Sequence, residues 1–172
     1  MSAELRVRAE RTLREAEGYL ELRMPLKALT ALERLEDPGT FKARKLLFVG
    51  KAYSELERHA DAIAALLVAA DLAPSNLEVW LSLGWSYKRV GRLDLAIEAL
   101  ERGRDVEPHQ AIIFYNLACY HSLSGDAPRA ISNLSRAIAM QPMWREHVHD
   151  ESDFDAIRSN PQFQALVGGI TA

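Results

Sequence analysis

Eight side-chain positions recur in this chain every 34 residues, three times over, with no insertion or deletion. Leu46, Trp80 and Phe114 form one set, and Val49, Leu83 and Leu117 the next. Gly50, Gly84 and Ala118 follow, then Tyr53, Tyr87 and His121. The second half of each unit repeats Ala62, Ala96 and Ala130; Leu66, Leu100 and Leu134; Ala69, Gly103 and Ala137; and Pro74, Pro108 and Pro142. A fixed period of this length marks a stacked array of units, each unable to bury its apolar face alone. Such arrays present extended surfaces and rarely enclose a reaction centre.

Each unit reads as two helices and a turn. Trp80, Leu83, Gly84 and Tyr87 share one helical face, since offsets of three, four and seven return to the same side. Gly84 and Ala96 are small where two helices cross closely. Pro74, Pro108 and Pro142 end the second helix, because proline disfavours helical geometry in the residue before it. Gly91 and Gly125 fall in the turn inside their units, where positive φ is cheap for glycine. Pro25 and Pro128 fall at the start of a second helix, where a missing N–H costs nothing.

The run Trp80-x2-Leu83-Gly84-x2-Tyr87, then Ala96-x3-Leu100, then Pro108, resembles the tetratricopeptide repeat. The resemblance spans 43–142 and extends over a degenerate first unit, 9–42. There Ala16, Tyr19, Ala28 and Leu32 are in phase, but Thr12 and Glu15 replace large apolar residues and Thr40 stands in place of the proline. Terminal repeats are often atypical because one face meets water. The implied fold is all-α: a right-handed α-solenoid of four helix–turn–helix repeats (9–42, 43–76, 77–110, 111–144) with a short helical cap over 145–172, the whole chain 1–172 being one domain.

Residues 143–172 leave the repeat phase. Asn160-Pro161 has the form of a helix start and Gly168-Gly169 of a stop. Phe154, Ile157, Phe163, Leu166 and Val167 supply the apolar face of two short helices, the first capped by Ser152 or Asp153. The run Asp153-Phe154-Asp155-Ala156-Ile157-Arg158, then Asn160-Pro161-Gln162-Phe163, resembles the ending of certain bacterial tetratricopeptide arrays, as does Phe114–Tyr120 before it. That resemblance implies a cap, packed on the second helix of the last repeat around Ile131, Leu134 and Ile138.

Net charge is −3, with signs mixed throughout and no basic patch, so the chain carries no footprint for nucleic acid. The single cysteine, Cys119, excludes an intrachain disulfide and a cysteine-based zinc site. The first residues alternate charge with leucine and do not read as a signal peptide. No apolar stretch is long enough to span a membrane. The expected location is cytoplasmic.

No catalytic constellation emerges. His147, His149, Asp150, Glu151 and Asp153 cluster in sequence, but no distant ligand matches them, and they read as a polar connector and not a metal site. Cys119 and His121, two apart on a helix, face different ways and do not form a nucleophile–base pair. Gly50-Lys51 lacks the upstream glycine of a phosphate loop. Asn133-Leu134-Ser135 has the form of a glycosylation acceptor, which means nothing without secretion. No cofactor is expected, and the chain reads as non-enzymatic.

The tetratricopeptide resemblance implies a binding surface along a second stripe of each first helix, lining a concave groove. In phase there stand Leu13, Leu47, Leu81 and Tyr115, then Glu17, Lys51, Trp85 and Cys119, then Leu20, Ser54, Lys88 and Ser122. Trp85 is a large aromatic where the fold demands none, and tryptophan is over-represented at binding hot spots. The lysine and asparagine pattern of the family's chaperone-tail clamp is matched only at Lys51, so that reading is rejected. The expected groove residues are Leu47, Lys51, Leu81, Trp85, Lys88, Arg89, Tyr115 and Asn116. The expected function is a protein-interaction module holding a partner segment with an apolar anchor and acidic residues. Its alternatives are a secretion-type chaperone and a self-assembling scaffold, and the expected state is a monomer or weak homo-oligomer.

Overall fold

The structure, a computed structural model, describes residues 2–36 and 38–168; Gly169 of the expected helix stop lies outside them. The described residues form helices and no strands. Eight helices run as four pairs: α1 (Ala3–Glu21) and α2 (Pro25–Glu33), α3 (Lys42–Glu55) and α4 (His59–Leu72), α5 (Leu77–Arg89) and α6 (Leu93–Val106), α7 (Ala111–Leu123) and α8 (Ala127–Met140). A single 3-10 turn, Gly39–Phe41, precedes α3. Beyond α8 lie α9 (Trp144–His147), a 3-10 helix over Ser152–Ile157, and α10 (Pro161–Val167). The chain divides into two compact units, Met1–Gly91 and Arg92–Ala172.

In the first unit, α2 packs on α1 and α3, α4 packs on α3 and α5, and the first helices of successive pairs touch each other. The in-phase apolar residues fill the space between them. Leu13, Ala16, Ala28, Leu32, Ala62, Leu66, Ala69 and Leu83 are all buried. Polar pairs tie first helix to first helix: Glu17 to Arg44 at 2.9 Å, Lys51 to Glu78 at 2.6 Å, and Ser54 Oγ to the buried Ser86 Oγ at 2.9 Å. Trp80 is half-buried, and its indole N–H donates to the Pro74 carbonyl at 2.8 Å.

The turn inside each pair keeps the 34-residue register. Positive φ occurs at Arg23, Glu57, Gly91 and Gly125, at 56°, 59°, 76° and 83°. The next amide reaches back five residues to close the first helix. Met24 N–H bonds to Tyr19 O at 2.8 Å, Arg58 N–H to Tyr53 O at 2.9 Å, and Asp126 N–H to His121 O at 2.9 Å. This is the Schellman ending, which satisfies carbonyls a helix leaves orphaned. The two glycines were legible in the sequence; Arg23 and Glu57 take the same backbone without that signal.

In the second unit, α7 packs against α6, α8 and the 3-10 helix. It is apolar all round and buried on every side, including Phe114, Tyr115, Cys119, Tyr120 and His121. The cap differs from its expectation in three ways. It has three short pieces instead of two helices. Its 3-10 helix is capped by Glu151, whose side chain accepts from Asp153 N–H at 3.2 Å, and not by Ser152 or Asp153. It lies on α7 as well as α8: α9 and α10 touch α8, while the 3-10 helix sits on the first helix of the pair. The reason is Tyr115, which offers a ring to Trp144 and Phe154. Asn160 caps α10 as expected, accepting from Gln162 and Phe163 amides at 2.9 and 3.3 Å.

A candidate interaction surface around Trp85

Trp85 stands on α5, on the side turned away from Leu83 and Gly84. Both of those residues are buried, whereas Trp85 is 46% exposed. Lys88 Nζ lies 5.5 Å and Arg89 Cζ 5.9 Å from its ring, within cation–π range. Arg89 is held from two sides. Its Nη2 bonds to Glu57 Oε2 at 2.9 Å, and its Nε donates toward His59 Nε2 at 3.4 Å. Glu57 occupies the positive-φ turn and His59 opens α4, so the 34-residue turn register aims both at Arg89. Trp85, Arg89, Glu57 and His59, together with Arg23, Pro25, Ser54 and Glu55, line a cavity of about 420 Å³ within the first unit.

The other expected groove residues fall differently. Leu81 is half-buried on the same helix. Leu47 is 2% exposed and belongs to the core. Lys51 is half-buried and engaged by Glu78. In the second unit Tyr115 is only 6% exposed. Trp144 stacks on it, centroids 4.4 Å apart at 26°, and Phe154 meets its edge at 5.8 Å and 77°. The cap therefore covers the stripe of α7 that the sequence reading left open, and Asn116 beside it is half-buried. Burial, with the charges of Cys119, Glu151 and Asp153 behind it, pushes the Tyr115 phenol well above its ordinary titration range.

Sequence reasoning missed Arg23, Glu57 and His59. Arg23 and Glu57 lie in the turns and His59 opens α4, all outside the helical stripe, and only the shared register of 23, 57, 91 and 125 could have found the first two. It also separated Cys119 from the acidic connector. Ligand atoms of Cys119, Glu151 and Asp153 lie within 4.8 Å of one another. They make three donors where a structural zinc takes four, and Glu151 is engaged in capping. His147, His149 and Asp150 are exposed and apart from that cluster, in line with a connector.

A family model described as tetratricopeptide repeat matches residues 77–109. No curated protein sequence matches the chain. Among solved structures, one titled MamA AMB-1 aligns with TM-score 0.72 at 20% identity, over 94% of this chain and 87% of that one. A thermophilic tetratricopeptide protein of Thermus thermophilus, TTC0263, aligns with TM-score 0.73 at 18% identity, over 92% and 87%. YrrB, described as a tetratricopeptide protein with an unusual peptide-binding site, aligns with TM-score 0.69 at 22% identity, over 79% and 71%. At these identities the likeness is one of fold: an all-α tetratricopeptide solenoid.

Proposed function

The chain is a tetratricopeptide-repeat protein in fold, and on that premise we propose that it is a protein-interaction module whose exposed surface around Trp85 holds a segment of a partner protein. The observation that carries this reading is Trp85 itself. It is a large aromatic, half-exposed, with two cations at its ring, at a position where the repeat requires no aromatic. An apolar anchor of the partner would dehydrate against the indole and supply most of the affinity. Acidic residues beside the anchor would be steered and oriented by Lys88 and Arg89. Leu81 and Lys51 border the same face of α3 and α5.

The structural neighbour described as a peptide-binding tetratricopeptide protein supports a protein or peptide partner. No helix of the described residues is long and apolar enough to cross a membrane. The reading is tested by capturing the partner from the native cell with the full chain, then measuring its affinity for Trp85→Ala. A loss of more than about tenfold with the helical signal intact supports the site. Unchanged affinity places the partner on another face.

A further inference from the structure

The outer face of α4 is apolar where the next repeat carries charge. Ala60, Ala64, Leu67, Val68 and Asp71 are exposed and share the outward side of that helix. In register with them on α6 stand Asp94, Glu98, Glu101, Arg102 and Asp105, all exposed. The repeat is satisfied with charge there, and α4 departs from it. Leu67 is 45% exposed, and Val68 and Leu72 beside it are similarly open. A contiguous apolar face of this kind marks a contact with another molecule.

The charges on the face narrow what covers it. Asp61 is bonded to Arg58 at 2.8 Å, whereas Asp71 forms no ion pair among the described residues. A second α4 turned onto this face would bring both carboxylates of each copy into one desolvated contact. An anionic lipid surface would meet the same repulsion. The face suits a helix that carries an apolar side chain with a cation one turn away.

The chain begins with such a helix. Lys42, which opens α3, corresponds in register to Arg8, so residues 3–7 of α1 run beyond the helix the repeat requires. Val7 in that overhang is 66% exposed. Ala3, Val7 and Arg11 share one side of α1, and with Glu4 and Arg8 they line an open hollow of about 490 Å³. Arg11 is exposed and forms no ion pair among the described residues. On α4, Ala64, Leu67 and Asp71 follow in the same order: small, large, charged. With the two helices parallel, Val7 set on Leu67 brings Arg11 to Asp71, because each charge lies one turn, about 6 Å, past its apolar neighbour.

We propose that α1 of one copy docks along the outer face of α4 of a second copy, with Val7 against Leu67 and Arg11 paired with Asp71. The contact uses none of the residues around Trp85 and goes beyond the partner surface argued above. It joins two different faces, so it closes by reciprocal exchange or extends from copy to copy. One helix face on another falls short of the roughly 1,600 Å² of a standard interface, so the association is weak and shows at high protein concentration.

The test measures the solution mass of the full chain by sedimentation, from low micromolar to millimolar concentration. The mass is expected to rise across that range. Val7→Asp, an exposed change beyond the repeat helix, should weaken association by about tenfold, as should Arg11→Glu and Asp71→Arg singly. Arg11→Glu combined with Asp71→Arg should restore it, which a merely structural effect of either change would not do. Trp85→Ala should leave it unaltered. The geometry is read separately, by mixing copies that carry Val7→Cys with copies that carry Leu67→Cys and exposing them to air. A disulfide is expected between the two kinds of copy, and the buried Cys119 stays out of it. A chain that remains monomeric at every concentration overturns the proposal. So does association that Val7→Asp leaves intact, or a double charge reversal that fails to restore it. Cross-links confined to Leu67→Cys copies among themselves mark a contact of α4 with α4 and overturn it as well. Association that Trp85→Ala abolishes does the same, since the copies would then meet at the partner surface.

Discussion

A Cβ placed on Gly50 of α3 would lie 2.5 Å from Cγ of Leu66 on α4. Leu66 is fully buried, so it has no empty space to turn into. Gly50→Ala is therefore expected to destabilise the chain by about 1–3 kcal/mol through overpacking. A helix-favouring substitution thus becomes harmful, against the usual gain from replacing a mid-helix glycine. Chemical denaturation of the purified variant measures this. Stability equal to or above the parent would show that the two helices can part at no cost.

Gly91 offers the opposite case. A Cβ there would meet nothing within 4 Å, yet φ is +76°. The cost of Gly91→Ala is therefore conformational alone, about 1 kcal/mol. The same argument run backwards applies to Arg23 at φ 56°: Arg23→Gly should be neutral or stabilising by a few tenths of a kcal/mol. Thermal melts of both variants check the pair. A destabilised Arg23→Gly would mean that the arginine contributes a contact in the folded chain that outweighs its backbone strain.

These turns show what sequence could and could not reveal. The fold was legible because Leu66, Leu100 and Leu134 repeat in register and periodicity reports burial directly. Gly91 and Gly125 were legible because glycine betrays positive φ. Arg23 and Glu57 take the same conformation with ordinary side chains, so composition hid them. Trp85 was legible as a surface aromatic, since its neighbours on the core face were already assigned. Tyr115 was not: its phase matches Leu81, but whether a stripe stays open depends on a segment outside the repeat, and nothing periodic says where Trp144 and Phe154 will land. His59 escaped for a related reason. Its role comes from Arg89, thirty residues later, through a contact no local pattern encodes.

His121 stands at the position that holds Tyr53 and Tyr87 in the earlier repeats, and it is buried on α7. Burial lowers its pKa from 6.5; the Asp126 charge opposes this, and Arg129 adds to the lowering. The unfolded chain consequently binds a proton more readily than the folded one. Stability is complete above about pH 6.5 and falls as pH drops below it, until the folded-state value is passed. His121→Tyr, which restores the residue of the earlier repeats, should flatten this decline. Denaturation midpoints measured across that range, parent against variant, decide the matter. Parallel curves would mean that other groups carry the pH dependence.

Trp80 and Trp85 lie five residues apart on one helix and should behave as opposites. Trp80 donates its indole N–H to Pro74 O and packs at the repeat position, so Trp80→Ala is expected to cost about 3 kcal/mol. Trp85→Ala should cost less than about 1.5 kcal/mol, because nearly half of its surface already meets water. The order reverses in binding, where Trp85→Ala is expected to lose more than about tenfold in partner affinity. Lys88→Glu should slow association and weaken its salt dependence while leaving the fold intact. Association kinetics at two ionic strengths test this. Equal destabilisation by the two tryptophan variants would show that Trp85 is part of the core.

Removal of the cap tests what holds α7. Trp144, Val148, Phe154, Ile157 and Phe163 leave with a truncation after Pro142, and all but Trp144 are buried. Phe154 and Phe163 alone remove about 2–3 kcal/mol each on area grounds. The stacked pair Tyr115–Trp144 goes with them. The melting temperature should fall by about 10 °C or more for a chain of this size. The exposed stripe of α7 should also drive self-association, visible as a rise in solution mass with concentration. Tyr115 supplies an internal check: with its cover gone, the phenol should titrate closer to its ordinary value of about 10. Trp144→Ala tests the same contact without cutting the chain, and should lower the Tyr115 titration part of the way. A truncated protein that melts like the parent, stays at the same mass and keeps its tyrosine titration unchanged would show that the cap does not seal α7.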